Sequence, residues 1–338
     1  MISSANAPPL LMDTIAQAKV VLVAGGAGFL GSALCARILA QGHEVVCVDS
    51  LISGDMSNIV DLLPNPKFRF FKHDVISPIK VSGRIDEIYN MACAASPPRY
   101  QRDPLHTMRT CFEGALNLLK LAKTKSARIL LSSTSEIYGD PEIKLQHESY
   151  RGNVNSVGPR ACYDEGKRAA ETLFWEYGEH LGVETRIARI FNTYGPQMHP
   201  DDGRVVSNFI VQAIRGEALT IYGDGSQTRS FCFVDDLIDG LISLMASSEK
   251  MPVNLGNPSE FTILELAQKV QAEMGNPTRI LHRPLPKDDP RQRCPDISRA
   301  REILGWEPKV SLTDGLRATI PWFAARLQAD ANMGVLVS

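Results

Sequence analysis

The chain predicts an α/β fold: a doubly wound parallel sheet followed by a smaller C-terminal substrate-binding lobe. Three observations carry the prediction. A run of β-formers, Val20 to Val23, breaks into glycines and then into a helical pattern. Further strand-like runs fall at 44–48, 68–71, 87–91, 129–131 and 184–190, with helical stretches between several of them. After 190 the alternation weakens into shorter pieces. Strands alternating with helices build parallel sheets with right-handed crossovers, and ligands then sit at the C-terminal ends of the strands. This is the Rossmann type of architecture.

The first strand, turn and helix point to a dinucleotide. Gly25, Gly28 and Gly31 have the spacing GxxGxxG, and Gly26, Gly28 and Gly31 also read as GxGxxG. One glycine lets the chain turn sharply, one lets the backbone approach a pyrophosphate, and one lets helix and strand pack closely. The helix opening at Phe29 and Leu30 offers free N–H groups and a positive dipole end to the phosphates. Asp49 ends the second strand, 18 residues past Gly31. A carboxylate there accepts from a ribose 2′-hydroxyl and repels a 2′-phosphate, so the cofactor is read as NAD rather than NADP. Asp74 and Val75, after the third strand, fall where such a sheet faces the adenine. Ala92 opens a run of small residues after the fourth strand and leaves room for the cofactor.

Composition narrows the function classes. At 338 residues the chain can bury a large core in one or two domains. It is 44% hydrophobic and 22% charged, ordinary for a globular protein. A net charge of −2 creates no global field toward nucleic acid or a membrane surface. No apolar run is long enough to span a bilayer, and residues 1–18 lack the features of a signal peptide. Seven scattered cysteines without a CxxC favour reduced thiols over a disulfide framework or zinc site. No metal is expected, because His73, His147, His199 and His282 have no ligand spacing.

Taken in order, residues 1–18 read as a loose leader. The first helix ends at Gly42, and Asp49 to Asn58 is a loop. Two prolines, Pro97 and Pro98, stiffen the turn after the fourth strand. Leu116, Leu119 and Ala122 lie at helical spacing and predict a helix over 105–123. The fifth strand ends in Ser132 to Gly139, where chemistry is expected. A polar loop over 140–159 leads to a helix over 160–181 and the strand over 184–190. A helix over 205–215, strands over 219–222 and 230–234, and helices over 235–247, 262–274 and 311–327 follow. Residues 19–190 are assigned mainly to cofactor binding. Residues 191–327 form mainly the second lobe, with some chain crossing back to the sheet, and 328–338 a tail expected to fray.

Tyr163 and Lys167 are four apart, so on a helix they share one face. A free tyrosine, with a pKa near ~10, is a poor base at neutral pH. A nearby ammonium favours the phenolate and is expected to lower that pKa. Lys167 is also placed to bond the nicotinamide ribose. Thr134, at the neighbouring strand end, can donate to the same substrate hydroxyl. Together these groups remove a hydroxyl proton while hydride leaves the same carbon for NAD.

With these residues the chain resembles the extended short-chain dehydrogenase/reductases that act on nucleotide sugars. Within them it is similar to the UDP-glucuronate decarboxylases, or UDP-xylose synthases. The resemblance rests on Ala95–Pro98, Ser133–Pro141, Cys162–Arg168, Arg189–Pro196, Asp202–Phe209, Gln227–Phe231, Pro252–Pro258 and Asp288–Pro290 taken together. Ala94 departs from it, standing where that family usually has proline; no reactive group is lost.

The resemblance implies a reaction. NAD oxidises the C4 hydroxyl of UDP-glucuronate as Tyr163 takes the proton. The 4-keto group is β to the C5 carboxylate, so CO₂ leaves, C5 is protonated, and hydride returns to C4 to give UDP-xylose. It also implies catalytic roles for Thr134, Ser135, Glu136 and Arg293 beside Tyr163 and Lys167. Ser135 stands where the related dehydratases have an aspartic acid that protonates a leaving hydroxyl. Arg293 would hold the carboxylate and stabilise the enolate. Pro97, Tyr100, Asn192, Asn208, Tyr222, Arg229 and Arg293 are carried over as substrate-binding residues. Arg229 can reach a diphosphate and Tyr222 can pack on uracil.

Two other readings stay open. One is a UDP-sugar 4-epimerase or dehydratase, disfavoured by Ser135, Glu136 and Arg293. The other is a non-catalytic NAD-binding scaffold, disfavoured by Thr134, Tyr163 and Lys167. The apolar faces of helices 105–123 and 160–181 exceed what one sheet face needs. In proteins resembling this one that pair forms a four-helix dimer interface, so a homodimer is expected. Eukaryotic relatives often carry a membrane anchor; without one here, the chain is placed in the cytoplasm.

Overall fold

The structure is a computed structural model that describes residues 17–275, 277–285 and 292–336, with side chains as far as 332. Most of the expected leader and the motif Asp288–Pro290 lie outside the described residues. The strands are β1 (Val20–Ala24), β2 (Glu44–Asp49), β3 (Phe68–Lys72), β4 (Glu87–Asn90), β5 (Arg128–Thr134), β6 (Thr185–Ile190), β7 (Thr193–Tyr194), β8 (Leu219–Tyr222), β9 (Thr228–Ser230), β10 (Cys232–Phe233), β11 (Val253–Leu255), β12 (Glu260–Thr262), β13 (Ile280–Arg283) and β14 (Gln292–Arg293). The helices are α1 (Phe29–Ala40), α2 (Pro97–Tyr100), α3 (Pro104–Arg109), α4 (Ala115–Lys125), α5 (Ala161–Leu181), α6 (Val205–Ile214), α7 (Val234–Ala246), α8 (Ile263–Met274), α9 (Ser298–Leu304) and α10 (Leu312–Leu336).

Seven strands form one sheet in the order β11-β6-β5-β4-β1-β2-β3, and every pairing in it is parallel. Alternation along each strand feeds two cores. Val21, Val23, Val45 and Cys47 pack with Leu34, Ile38, Leu237 and Leu241 on one face. Leu22, Ala24, Val46 and Val48 pack with Leu118, Ala122, Ala170 and Phe174 on the other. Strands buried on both faces read as apolar runs, which is why the sequence showed them. The strand order reverses between β1 and β4. That switch point opens a crevice at the C-terminal strand ends.

The structure departs from expectation in several places. The helix expected over 105–123 is α3 and α4 joined by a π-turn at Thr110–Gly114. The wide turn packs tightly on α5: a Cβ on Gly166 would stand 2.9 Å from Cys111 Cβ. The strand expected over 230–234 is two. β9 pairs with β12 and β14, β10 pairs with β7, and Val234 already begins α7. Strand β11, which completes the main sheet, was not anticipated. The last helix continues to Leu336, past the expected boundary at 327.

Candidate active site

Two adjoining cavities run along the switch point, one enclosing about 510 Å³ and the other about 80 Å³. The glycine turn borders both, through Gly25 and Gly28. Gly25 adopts φ +78°, open to glycine at little cost. A Cβ on Gly31 would lie 2.0 Å from the Gly25 carbonyl oxygen, so helix and turn pack as closely as the motif demands. A Cβ on Gly28 would meet only that same carbonyl, at 3.2 Å. No side chain caps the first turn of α1, which leaves the Phe29, Leu30 and Gly31 N–H groups able to receive an anion. The residues therefore fit a dinucleotide pyrophosphate.

The smaller cavity gathers Asp49, Asp74, Val75 and Ala92. Asp49 is buried, and its carboxylate accepts from the Ala27 N–H at 2.9 Å and the Leu51 N–H at 2.8 Å. Burial raises its pKa, and these two N–H groups oppose that rise. A carboxylate has about four acceptor sites, so room remains for a ribose hydroxyl. Asp74 accepts from the Ile76 N–H at 3.1 Å and pairs with His106 Nε2 at 2.8 Å. Val75 is buried, its side chain facing Gly114 of the π-turn.

The larger cavity brings together Pro97, Tyr100, Thr134, Ser135, Glu136, Tyr163, Lys167, Asn192, Asn208, Tyr222, Arg229 and Arg293. Tyr163 is buried on α5, with its ring flat against Tyr100 and Thr134 lining the same cavity. Lys167 Nζ lies 5.8 Å from the centre of the Tyr163 ring and donates to the Ser132 carbonyl at 2.7 Å. The expected lowering of the Tyr163 pKa is not found in the chain itself. Burial pushes the phenol well above its ordinary value, Cys93 and Cys111 add to this, and the Thr134 hydroxyl opposes it. The lysine is spent partly on the Ser132 carbonyl, and desolvation wins.

Thr134 closes β5, and its Oγ1 accepts from the Glu136 N–H at 3.2 Å, fixing the short turn that presents Glu136. Arg293 is 1% exposed. It donates to the Ser135 carbonyl at 2.6 Å and to Glu136 Oε2 at 3.2 Å. Arg160, at the start of α5, pairs with the same oxygen. Burial would raise the Glu136 pKa, but Arg293 and Arg160 hold it down to about 2. Glu136 is thus an ionised carboxylate between two guanidinium groups. β14 runs parallel to β9 with Arg293 in register with Arg229, which sets a second arginine beside the first. Asn208 Nδ2 donates to the Gly203 carbonyl at 3.0 Å, and Tyr222 is 43% exposed at the cavity rim.

Two members of this cluster were not anticipated. Arg160 is a lone arginine ending a polar loop, with no motif to mark it. Asp164 follows Tyr163 directly; it is buried, and its Oδ1 has no hydrogen-bond partner among the described residues. Burial, then the Glu136 charge, raises its pKa to about 7. Among the described residues no group of three or more His, Cys, Asp or Glu side chains is placed to hold a metal.

A glycine turn and a Tyr–Lys–Thr group sharing one crevice define a nicotinamide-dinucleotide enzyme of the short-chain dehydrogenase/reductase type. The cationic cluster beyond them suits an anionic, nucleotide-sized substrate. The sequence profile of the NAD dependent epimerase/dehydratase family matches residues 21–256, and the chain belongs to that family. It is 50% identical over 325 residues to UDP-glucuronic acid decarboxylase 1 of Danio rerio, covering 96% of this chain and 77% of that protein. It is 53% identical over 314 residues to UDP-glucuronic acid decarboxylase 2 of Arabidopsis thaliana, covering 93% and 70%. A UDP-glucuronic acid 4-epimerase from Bacillus cereus, solved with UDP-glucuronic acid and NAD, superposes with a TM-score of 0.79 at 26% identity, over 91% of this chain and 99% of that one.

Proposed function

We propose that this enzyme decarboxylates UDP-glucuronate to UDP-xylose, using NAD without net redox. The observation that carries the reading is the buried Arg293, which reaches the Glu136 turn beside Tyr163 and Thr134. An epimerase needs only to oxidise and re-reduce C4. Any enzyme working at C4 of this acid must hold the neighbouring carboxylate, but only a decarboxylase must also steady the electrons CO₂ leaves behind. A buried guanidinium serves both ends, provided it binds the enolate better than the carboxylate. The relatives at 50% and 53% identity bear decarboxylase names, whereas the epimerase named above stands at 26%.

The residues divide the work. Gly25, Gly28, Phe29, Leu30 and Gly31 receive the pyrophosphate, Asp49 the ribose, and Asp74, Val75 and Ala92 line the adenine end. Held by these residues, NAD would supply the hydride acceptor, and its reduced form the hydride donor, for C4 of the sugar. Tyr163 Oη accepts the C4 hydroxyl proton and gives it back, with Thr134 and Lys167 orienting it. Pro97, Tyr100, Asn192, Asn208, Tyr222 and Arg229 hold the nucleotide and sugar. The overall balance consumes one proton, which ends on C5, for each CO₂ released.

Residues 19–190 mainly serve the cofactor and 191–327 mainly the UDP-sugar. The enzyme works as a homodimer through a four-helix bundle of the 104–125 segment and α5. Leu105, Met108 and Phe112 lie exposed along one side of that segment, and Trp175 and Leu181 on α5. Seven free thiols suit a reducing compartment, the cytoplasm. No helix of the described residues is long and apolar enough to cross a membrane.

The test is NMR of UDP-glucuronate incubated with the purified protein and a trace of NAD. UDP-xylose with stoichiometric CO₂ is expected. UDP-galacturonate without CO₂ would overturn the reading in favour of a 4-epimerase.

A further inference from the structure

The last long helix reaches back across the chain to the loop that follows β2. Arg326 of α10 donates from Nη2 to Asp55 Oδ2 at 2.9 Å, and from Nη1 to Ser57 Oγ. Its Nε is held by Asp330 at 3.1 Å, one turn along the same helix. The ion pair to Asp55 joins residues 271 apart in sequence. The other side of the loop is tied to the glycine turn. The Asp55 N–H and Asn58 Nδ2 both donate to the Ala27 carbonyl at 3.0 Å. Arg99 Nη1 donates to the Ser53 carbonyl at 3.3 Å. The loop leaves β2 through Leu51 at φ +62°, a conformation costly for a leucine, pinned by Asp49. Ser53, Asp55 and Asn58 from the loop, and Trp322 and Arg326 from α10, border the same cavity as Gly28 to Gly31.

These contacts make a strap across the crevice beside the pyrophosphate site. The proposed reaction gives the strap a purpose. The cofactor that removes hydride must be the one that returns it. If it leaves between those events, the 4-keto pentose is stranded and the protein must find oxidised cofactor again. A chain that cycles its cofactor internally gains from slow cofactor exchange.

We propose that Arg326 is a positioning residue whose pair with Asp55 latches the 50–58 loop over the cofactor crevice, so that NAD is retained through the catalytic cycle. The purpose assigned to the latch rests on the decarboxylase reading; the latch itself does not. Arg326 and Asp55 are only partly exposed, 21% and 32% at their side chains, so the pair is screened less than a fully exposed one.

The experiment loads the full-length protein with isotopically labelled NAD. It then follows exchange against excess unlabelled NAD by rapid gel filtration, with no sugar nucleotide present. Arg326→Gln and Asp55→Asn should each speed exchange about fivefold, the effect of losing one partly buried ion pair. Arg326→Lys should recover part of the loss, and the reversal Asp55→Arg with Arg326→Asp should recover more than either half alone. Melting curves identify any variant that has lost its fold, in which case the remaining three decide. Exchange unchanged in folded variants would overturn the latch. A second readout is product partition: a larger share of UDP-4-keto-pentose relative to UDP-xylose is expected from Arg326→Gln. If the native protein yields no UDP-xylose but exchange still depends on Arg326, the decarboxylase reading falls and the latch stands. If UDP-xylose forms and exchange ignores Arg326, the reverse holds.

Discussion

Tyr100 lies flat against Tyr163, with ring centres 5.0 Å apart and planes 1° from parallel. The two rings come from different elements: α2 brings one and α5 the other. Tyr100 is 1% exposed, yet its hydroxyl has no hydrogen-bond partner among the described residues. The ring and the hydroxyl therefore do separable things. On the proposed function, the ring would brace the phenol that takes the substrate proton and the hydroxyl would be left to meet a ligand. Tyr100→Phe keeps the ring, so steady-state kinetics should show KM raised with kcat nearly unchanged. Tyr100→Leu loses the stack, worth about 1 kcal/mol, and should lower kcat about fivefold as well.

The pH dependence of the oxidation step follows from the burial of Tyr163. Its pKa is raised, so at neutral pH little of the free chain carries a phenolate. A base works deprotonated, so single-turnover NADH formation should rise with pH across the neutral range. The Thr134 hydroxyl opposes the upward shift. Thr134→Val removes that opposition, and the rising limb should move to higher pH. A limb that moves lower would mean the threonine stabilises the neutral phenol instead.

Glu136 makes the opposite kind of linkage. Its pKa is lowered from 4.5 to about 2 in the folded chain. The folded state thus binds fewer protons than the unfolded one between those values. The resulting stabilisation, on the order of 3 kcal/mol, is fully present above pH ~4.5 and is lost as pH falls toward ~2. Glu136→Gln leaves Arg160 and Arg293 facing each other without the carboxylate between them. Urea unfolding at pH 7 should show the variant less stable by about 3 kcal/mol. The gap should narrow between pH 4.5 and pH 3, because the native protein then loses what the variant never had.

The contrast between what was legible and what was not has a physical pattern. The inner strands between Val20 and Ile190 are buried on both faces and carry apolar residues close enough together to notice, while β3 at the sheet edge buries only Phe68 but still carries three phenylalanines. Val253–Leu255 completes the same sheet with three residues, too few to stand out. The glycine turn, Thr134 and the Tyr163–Lys167 spacing are local patterns, and the fold brings them to one crevice. Arg160 and Asp164 belong to no local pattern; their importance comes from Glu136 and Arg293, which lie far off in sequence. The Arg326–Asp55 pair joins opposite ends of the chain. The spacing that predicted a helix over 105–123 came from Leu116, Leu119 and Ala122, which all lie in α4, so it carried no sign of the π-turn at Thr110–Gly114. The Tyr163 pKa failed for another reason: the Tyr–Lys spacing says that an ammonium is near, but not how deeply the phenol is buried.

Asp164 couples to pH in the sense opposite to Glu136. Burial and the neighbouring Glu136 charge raise its pKa to about 7, from 3.8. Here the folded state binds more protons than the unfolded one, so ionising Asp164 costs stability as pH climbs from about 4 to about 7. Asp164→Asn keeps the shape and carries no charge. Its stability relative to the native protein should therefore increase with pH over that window and level off above it. Arg160 and Arg293 both favour the ionised carboxyl, so Arg160→Met should raise the Asp164 pKa further and push the window upward. Carbonyl-region infrared difference spectra across pH 3 to 9 report the protonated carboxyl directly. A band lost near pH 4, as for an exposed aspartate, would show that the side chain is solvated and its Oδ1 partnered by water.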